Sequence, residues 1–404
     1  MATAIINENL NEFNLMLSCL RREENPDSDQ AIRNLCAQIA DWGSFLKILD
    51  HHRIESVVYR RLKGITGSGV PDNVLTELRT YSAQQPRKML SMIAELVRLV
   101  TIFDKKNIPV LSLKGPVLAL QLYGDIGLRP SKDLDLLVSP ENFPAAEEAL
   151  SAAGYRRVIP DFALTVKQSE YAIKKLHHFN YWHAGSAVCV ELHWKLDPYF
   201  HPRDVNIDDI WHRAIDVAVA GARVKALSWG DSVIYMCTHG AMHGWFRLRW
   251  LYDLALAMVN DRDRDWQALL GHAEQNGVLH LLAQGMTLAN RLLGVPVPVP
   301  IASLTTRHDS LPRLIDLATW FIMHPEQGVE RHFTKAYFLF KFYELSLYRG
   351  WRYKVAYFRR YSNMVPNDWK VLSLPDALFP IYYGIRIVNW LFRVISRRFK
   401  LDKT

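Results

Sequence analysis

The chain has 404 residues, of which 49% are hydrophobic and 22% charged, a composition that excludes both a disordered and a membrane-spanning protein. This length exceeds one ordinary domain, so we expect two or three. The net charge of +8 is uneven, because residues 331–404 contain 15 Lys or Arg and only four acids, while residues 1–330 carry a balance of −3. The basic C-terminal fifth indicates an anionic partner such as lipid, nucleic acid or polyphosphate.

Localisation is indicated by the N-terminus and the cysteines. Residues 1–9 contain neither a basic leader nor a continuous apolar segment, so we expect no signal peptide. The four cysteines include no Cys-x-x-Cys pair, which argues against a zinc site and a disulfide framework. We therefore expect a cytoplasmic protein.

The first elements of the chain are helices. Residues 1–106 carry apolar residues at helical spacing and are predicted to form a helical region, with Pro86 expected to kink or divide its last helix. Residues 108–113 form a short apolar run typical of a buried strand. A short helix then begins at Pro116 and is closed by Gly124.

A small β core follows, which completes a predicted core region of residues 107–200. We predict strands at residues 133–138 and 155–159, a helix at about 140–153, and a hairpin whose strands are residues 177–183 and 187–196.

Helical periodicity returns at about Asp208 and continues to the end, interrupted by the proline-rich residues 294–300, which we interpret as an extended linker. We expect a helical domain at residues 201–293 and a basic, aromatic-rich helical region at 301–404. The fold class is therefore α+β: a small mixed β-sheet with extensive N- and C-terminal helical additions.

Asp133 and Asp135 are the most informative pair of residues. On a strand they project from one face, and a divalent cation relieves their repulsion; carboxylate oxygens suit Mg²⁺ bound to a phosphate-bearing substrate. Glu191 lies on the second hairpin strand, on the same face as Cys189 and His193, and is the candidate third acid. The alternatives are a solvated strand end for the aspartates and an edge-strand ion pair for Glu191.

Phosphate contacts are predicted at the turn before the helix that starts at Pro116. Backbone N–H groups after Gly115 would point at phosphates, and Lys114 would add a positive charge. Arg129 either pins its loop or contacts phosphate. Lys114 can equally be a surface lysine.

His239 and His243 are four residues apart and would share a helix face. No Glu follows His239 as in the H-E-x-x-H motif, so we do not expect zinc. We interpret the two histidines as half-buried groups that pack with tryptophans and bond Asp253. Alternatively, they line an acceptor pocket together with His193.

The segment 381–400 has an apolar stripe flanked by basic residues, which is typical of a helix lying on an anionic membrane surface. Arg386 and Arg393 argue against a spanning helix. Docking of this segment on the protein's own core is the alternative.

Several motifs together resemble an uncharacterised bacterial nucleotidyltransferase family of the polymerase-β superfamily. They are Leu113-Lys114-Gly115-Pro116, Asp133-Leu134-Asp135, Val190-Glu191-Leu192-His193-Trp194, His243-Gly244-Trp245 and Arg249-Trp250-Leu251-Tyr252-Asp253. The resemblance runs from about residue 40 to 390. It implies a minimal nucleotidyltransferase core, Mg²⁺ and transfer of a nucleoside monophosphate. The usual Gly-Ser pair is Lys114-Gly115 here, so the serine hydroxyl that ordinarily contacts phosphate is missing.

We therefore expect an enzyme that uses two metal ions, Mg²⁺ or alternatively Mn²⁺, to move an NMP from an NTP such as ATP to a small-molecule, glycan-precursor or peptide acceptor. Asp133, Asp135 and Glu191 are the predicted catalytic metal ligands. Lys114, Gly115 and Arg129 are the predicted nucleotide contacts. The alternative is a catalytically inactive nucleotide-binding or membrane-attached scaffold. No nucleic-acid motif is recognisable, so nucleic acid is not an expected partner.

Overall fold

The computed structural model describes residues 10–21, 25–196, 207–260, 264–305, 310–324, 334–348 and 350–389. The helices within these ranges are α1 (Leu10–Leu20), α2 (Pro26–Cys36), α3 (Trp42–His52), α4 (Glu55–Lys63), α5 (Asp72–Lys105), α6 (Gly115–Tyr123), α7 (Phe143–Ala152), α8 (Val166–Lys175), α9 (Ile207–Arg213), α10 (Trp229–Met242), α11 (Leu248–Val259), α12 (Trp266–Gln275), α13 (Leu279–Leu293), α14 (Val299–Thr305), α15 (Leu311–Met323), α16 (Lys335–Leu347), α17 (Trp351–Ser362) and α18 (Pro366–Val371). Residues 381–389 are also helical.

The strands are β1 (Leu111–Ser112), β2 (Asp133–Leu137), β3 (Arg156–Ile159), β4 (His178–His183), β5 (Val188–His193), β6 (Ile215–Val219) and β7 (Ala222–Ala226). They form one sheet in the order β3-β4-β5-β2-β1-β7-β6. The β2–β5 and β1–β7 pairs are parallel and the other pairs are antiparallel. The predicted α+β class with a mixed sheet is confirmed.

The chain divides into two compact units of interleaved segments. One, which we call the helical unit, comprises Met1–Ile93, Lys114–Ser131 and Ser228–Gly328. The other, which we call the sheet unit, comprises Ala94–Leu113, Lys132–Leu227 and Val329–Thr404. Residues 114–131 lie inside the predicted core region 107–200, yet they belong to the helical unit.

The sheet unit buries one face of its strands under α7. Leu134 and Leu136 alternate with the two aspartates along β2 and are both buried. Phe143 at the start of α7 packs edge-on against the rings of Phe179 and Trp194, with ring centroids 5.8 and 4.6 Å apart. Because this face is occupied by apolar packing, Asp135, Asn180 and Glu191 point to the opposite face.

The helical unit is built around α13, which contacts α10, α11, α14 and α15. Trp245 is fully buried in this core. Gly240 on α10 and Gly285 on α13 lie so close to its ring that a Cβ atom at either residue would meet it at 2.4 and 2.9 Å respectively. Both glycines are therefore required for the tryptophan to fit.

The structure corrects four predictions for the elements. Residues 215–226, predicted to be helical, form the β6–β7 hairpin, whose turn places Ala220 and Gly221 at positive φ. α5 continues unbroken through Pro86, so of the two predicted outcomes, a kink or a division, the structure excludes the division. The predicted strand at residues 108–113 is paired only at Leu111–Ser112, and the predicted linker at 294–300 gives way to α14 at Val299.

Candidate functional site

A polar cluster lies on the face of the sheet opposite the apolar packing and is built by the parallel pairing of β2 with β5. The register places Asp135 directly beside Glu191, Asp133 beside Cys189 and Leu137 beside His193. Side chains at paired positions point to the same face. Two of the three predicted metal ligands are therefore immediate neighbours, and Asp133 is two residues further along the same face.

The antiparallel partner β4 adds two side chains to this face. Asn180 pairs with Glu191, and its Nδ2 donates a hydrogen bond of 3.2 Å to Glu191 Oε1. His178 pairs with His193, and their ring centroids are 4.8 Å apart. The sequence pattern predicts the hairpin but not the place of these two residues in the site. The period-two alternation of His178 and Asn180 along the strand could have identified them once the hairpin register was known.

His193 connects the carboxylates. Its Nε2 lies 3.5 Å from Asp135 Oδ1 and 3.4 Å from Glu191 Oε2. Asp135 and His193 are both buried, whereas Asp133 and Glu191 are half-buried. The cluster therefore combines groups held away from water with groups that a ligand can reach.

The charges in the cluster shift the pKa values of its members. Burial opposes protonation of His193, but Asp135 and Glu191 outweigh it, so the pKa of the imidazole is raised. Burial and the like charge of Asp135 both act to raise the pKa of Glu191. The histidines His193 and His178 nevertheless hold the pKa of Glu191 below its usual value. Glu191 is therefore an ionised carboxylate.

Among the described residues, two groups of side chains in this region could hold a metal ion. One oxygen or nitrogen from each of Asp135, Glu191 and His193 lies within 4.8 Å of the others, and the same holds for the nitrogens of His177, His178 and His193. The first group offers two hard carboxylate oxygens, which fit Mg²⁺ or Mn²⁺, with Asp133 close by on the same face. The second offers only imidazoles, which fit a softer ion such as Zn²⁺.

The predicted phosphate contacts Lys114 and Gly115 belong to the helical unit. Gly115 begins α6 with a φ of 68°, a conformation that favours glycine. The Nζ atom of Lys114 lies 5.3 Å from the ring centroid of Tyr235, a cation–π contact.

Arg129 is buried in the helical unit and bound to Asp253. Its Nε and a terminal nitrogen donate to the two carboxylate oxygens of Asp253 at 2.9 Å, and it also donates to the carbonyl of Gly115. The hydroxyl of Tyr123 donates to the same carboxylate at 2.6 Å. Asp253, which we expected to bond His239 or His243, thus receives its hydrogen bonds from Arg129 and Tyr123, because a guanidinium matches a buried carboxylate at both oxygens.

His239 and His243 form an aromatic cluster with Trp250. The two imidazole centroids are 4.7 Å apart and lie 5.0 and 5.2 Å from the centroid of Trp250. Packing of both histidines was predicted against Trp245 and Trp250, and the contact with Trp250 is confirmed. Their predicted role, with His193, in an acceptor pocket remains a prediction.

The comparisons with known proteins agree with this architecture. A family model described as an uncharacterised nucleotidyltransferase matches residues 38–294, a range that includes β2, β5 and the Arg129–Asp253 pair. Searches among curated proteins and among solved structures returned no match. The family supports a general role in nucleotidyl transfer. Because its model covers more than half of the chain, the protein belongs to this uncharacterised nucleotidyltransferase family.

Proposed function

We propose that this protein is a Mg²⁺-dependent nucleotidyltransferase that moves an NMP from an NTP to a hydroxyl or phosphate of a small-molecule, glycan-precursor or peptide acceptor. The observation that carries this proposal is the register of β2 against β5, which pairs Asp135 with Glu191 and sets Asp133 on the same face. Three carboxylates on one face repel one another because they carry like charges. A divalent cation bound between them relieves this repulsion.

Asp133, Asp135 and Glu191 would hold Mg²⁺, with Mn²⁺ as the alternative because the imidazole of His193 stands beside the oxygens. Ions bound there would neutralise charge at the phosphates and would lower the pKa of the attacking hydroxyl. His193 keeps Glu191 ionised and orients it together with Asn180.

In the proposed reaction the acceptor oxygen forms a bond to the α-phosphorus of the NTP. The bond from that phosphorus to its bridging oxygen breaks, pyrophosphate leaves, and the acceptor proton passes to solvent. Phosphate binding by Lys114 and Gly115 remains a prediction, which is tested by the effect of Lys114→Met on NTP affinity.

The test is to incubate the protein with α-phosphate-labelled NTPs, Mg²⁺ or Mn²⁺, and a small-molecule extract as the source of acceptors. We expect the double variant Asp133→Asn, Asp135→Asn to lose metal-dependent turnover by more than about 100-fold. Asp216→Asn is the matched control, because this aspartate lies on strand β6 of the same sheet and is exposed in an ion pair with Lys225. Its turnover should equal that of the wild type.

Calorimetry separates the alternatives. If wild-type protein binds NTP and metal but forms no product, the inactive nucleotide-binding scaffold is correct and the enzyme proposal fails. If Asp133→Asn, Asp135→Asn leaves metal binding intact while His178→Asn abolishes it, the ion occupies the three-histidine group and the carboxylate assignment is wrong.

A further inference from the structure

Exposed apolar side chains are concentrated in the C-terminal part of the sheet unit. Among the described residues, seven large apolar side chains are exposed over residues 10–299, whereas twelve are exposed between Phe338 and Val388. This short stretch lies inside the region that carries the excess of 11 positive charges. Single exposed apolar residues need no explanation, but a concentration of them along one stretch of the chain points to an interaction surface.

The exposed residues follow helical spacing on α17. Trp351, Val355 and Phe358 stand at positions i, i+4 and i+7, so they share one side of the helix, and Trp351 and Phe358 are 71% and 60% exposed. Lys354 and Arg359 are exposed and project on either side of this stripe. Residues 351–362 contain no Asp or Glu. The helix thus presents an apolar stripe between positive charges.

Two other helical segments of the sheet unit also expose apolar side chains. On α16, Phe338 and Phe342 are exposed one turn apart, with the exposed Lys335 one turn before Phe338. In the helical residues 381–389, Ile381 and Val388 are exposed two turns apart on one side. We call the exposed residues Phe338, Phe342, Trp351, Val355, Phe358, Ile381 and Val388, with the flanking Lys335, Lys354 and Arg359, the apolar–basic face.

The chemistry of the apolar–basic face favours one kind of occupant. A second copy of the chain would bring like charges together, which opposes self-association. Nucleic acid would bind the basic residues but would leave the aliphatic side chains of Val355, Ile381 and Val388 without an apolar contact. An anionic bilayer surface satisfies both parts, because its acyl region accepts apolar side chains while its headgroups attract Lys and Arg. Among the described residues, no helix is long and apolar enough to cross a membrane.

We propose that the apolar–basic face attaches the protein to the surface of an anionic lipid bilayer. The proposal is independent of the nucleotidyl-transfer proposal. The sequence predicted a membrane contact at residues 381–400, of which residues 390–400 lie outside the described ranges. The proposed contact keeps residues 381–389 and adds helices that precede them. The contact spans α16, α17 and residues 381–389, with aromatic and aliphatic side chains inserted and positive charges at the headgroups.

The test is sedimentation of the full-length protein with vesicles of phosphatidylcholine, with and without phosphatidylglycerol. Wild-type protein should bind the anionic vesicles, and added salt should weaken the binding. Trp351→Ser combined with Phe358→Ser should lower partitioning by at least about tenfold, because two exposed aromatic side chains no longer enter the acyl region. Val166→Ser is the matched control, since Val166 is an exposed apolar residue of the sheet unit outside the face.

Reversal of the flanking charges tests the electrostatic part. Lys354→Glu with Arg359→Glu should lower binding to anionic vesicles by about fivefold or more for each charge. The proposal is overturned if wild-type protein does not bind the anionic vesicles. It is equally overturned if Val166→Ser loses as much binding as the Trp351→Ser, Phe358→Ser variant. It is also overturned if light scattering shows a dimer that the aromatic variant dissociates, because the occupant is then a second copy.

Discussion

The buried pair Arg129–Asp253 allows a sharp test of how the helical unit is held together. Arg129 is 3% exposed and Asp253 is 2% exposed, and their contact joins both carboxylate oxygens to the guanidinium. Arg249 is also buried, and burial together with the charge of Arg129 lowers its pKa to about 10. The negative charge of Asp253 stabilises the charged forms of both Arg129 and Arg249. Asp253→Asn keeps the side-chain shape but removes this charge.

We expect Asp253→Asn to lower the free energy of unfolding by about 3–5 kcal/mol, the usual cost of leaving a buried charge without its partner. The amide oxygen can still accept the hydrogen bond from Tyr123, so the loss is mainly electrostatic. Adding Arg129→Met should restore part of the stability, because the buried cation is then removed as well.

The assay is urea unfolding followed by circular dichroism, with Asp316→Asn as the control. The Arg291–Asp316 pair has a contact distance of 2.7 Å but is 50% and 67% exposed, so its loss should cost less than about 1 kcal/mol. If both variants lose the same stability, burial does not decide the strength of these ion pairs and the reasoning is refuted. If Asp253→Asn is stable but loses NTP affinity, Arg129 acts in nucleotide binding as the sequence predicted.

Two further predictions concern stability. Burial and the nearby charge of Asp50 raise the pKa of Glu55 to about 7, above its usual 4.5, so the folded state binds the proton more tightly. Stability should therefore fall by about 3 kcal/mol as the pH rises from 4.5 to about 7, and urea unfolding of Glu55→Gln should show that this loss has disappeared. Gly240→Ala should destabilise the protein by about 1–3 kcal/mol, because the new Cβ would meet the ring of Trp245. Gly271→Ala, on a helix with open space at this position, should stabilise by about 0.5–1 kcal/mol, so equal melting temperatures for the two variants would contradict this packing argument.

Much of the sheet unit could be predicted from local pattern. The alternation of Asp133 and Asp135 with Leu134 and Leu136 is visible in the sequence, and the strand forms as expected. The β4–β5 hairpin was also predicted, since its two alternating runs flank a short turn. The β6–β7 hairpin was missed although its strands are as long as β2, because its turn residues Ala220 and Gly221 are not one of the Asn-Gly or Asp-Gly pairs that mark a tight hairpin in a sequence.

Long-range partners could not be predicted in the same way. The sequence around Arg129 predicts a phosphate contact or a loop anchor, and only the fold shows that Asp253, 124 residues later, binds its guanidinium. Likewise, His178 and Asn180 join the candidate site only through the register of β4 against β5. Contacts of this kind depend on pairing between distant segments, and no local periodicity encodes them.

The sequence by itself therefore determined the residue types of the site and the face of the strand on which Asp133 and Asp135 stand, because the period of a β-strand is a property of the backbone. It also located the basic charge in the C-terminal fifth. Only the tertiary structure decided that Asp135 lies beside Glu191, because the parallel register of β2 and β5 depends on how the whole sheet buries its apolar face. Burial likewise decided that the cation Arg129 serves as the partner of a buried carboxylate.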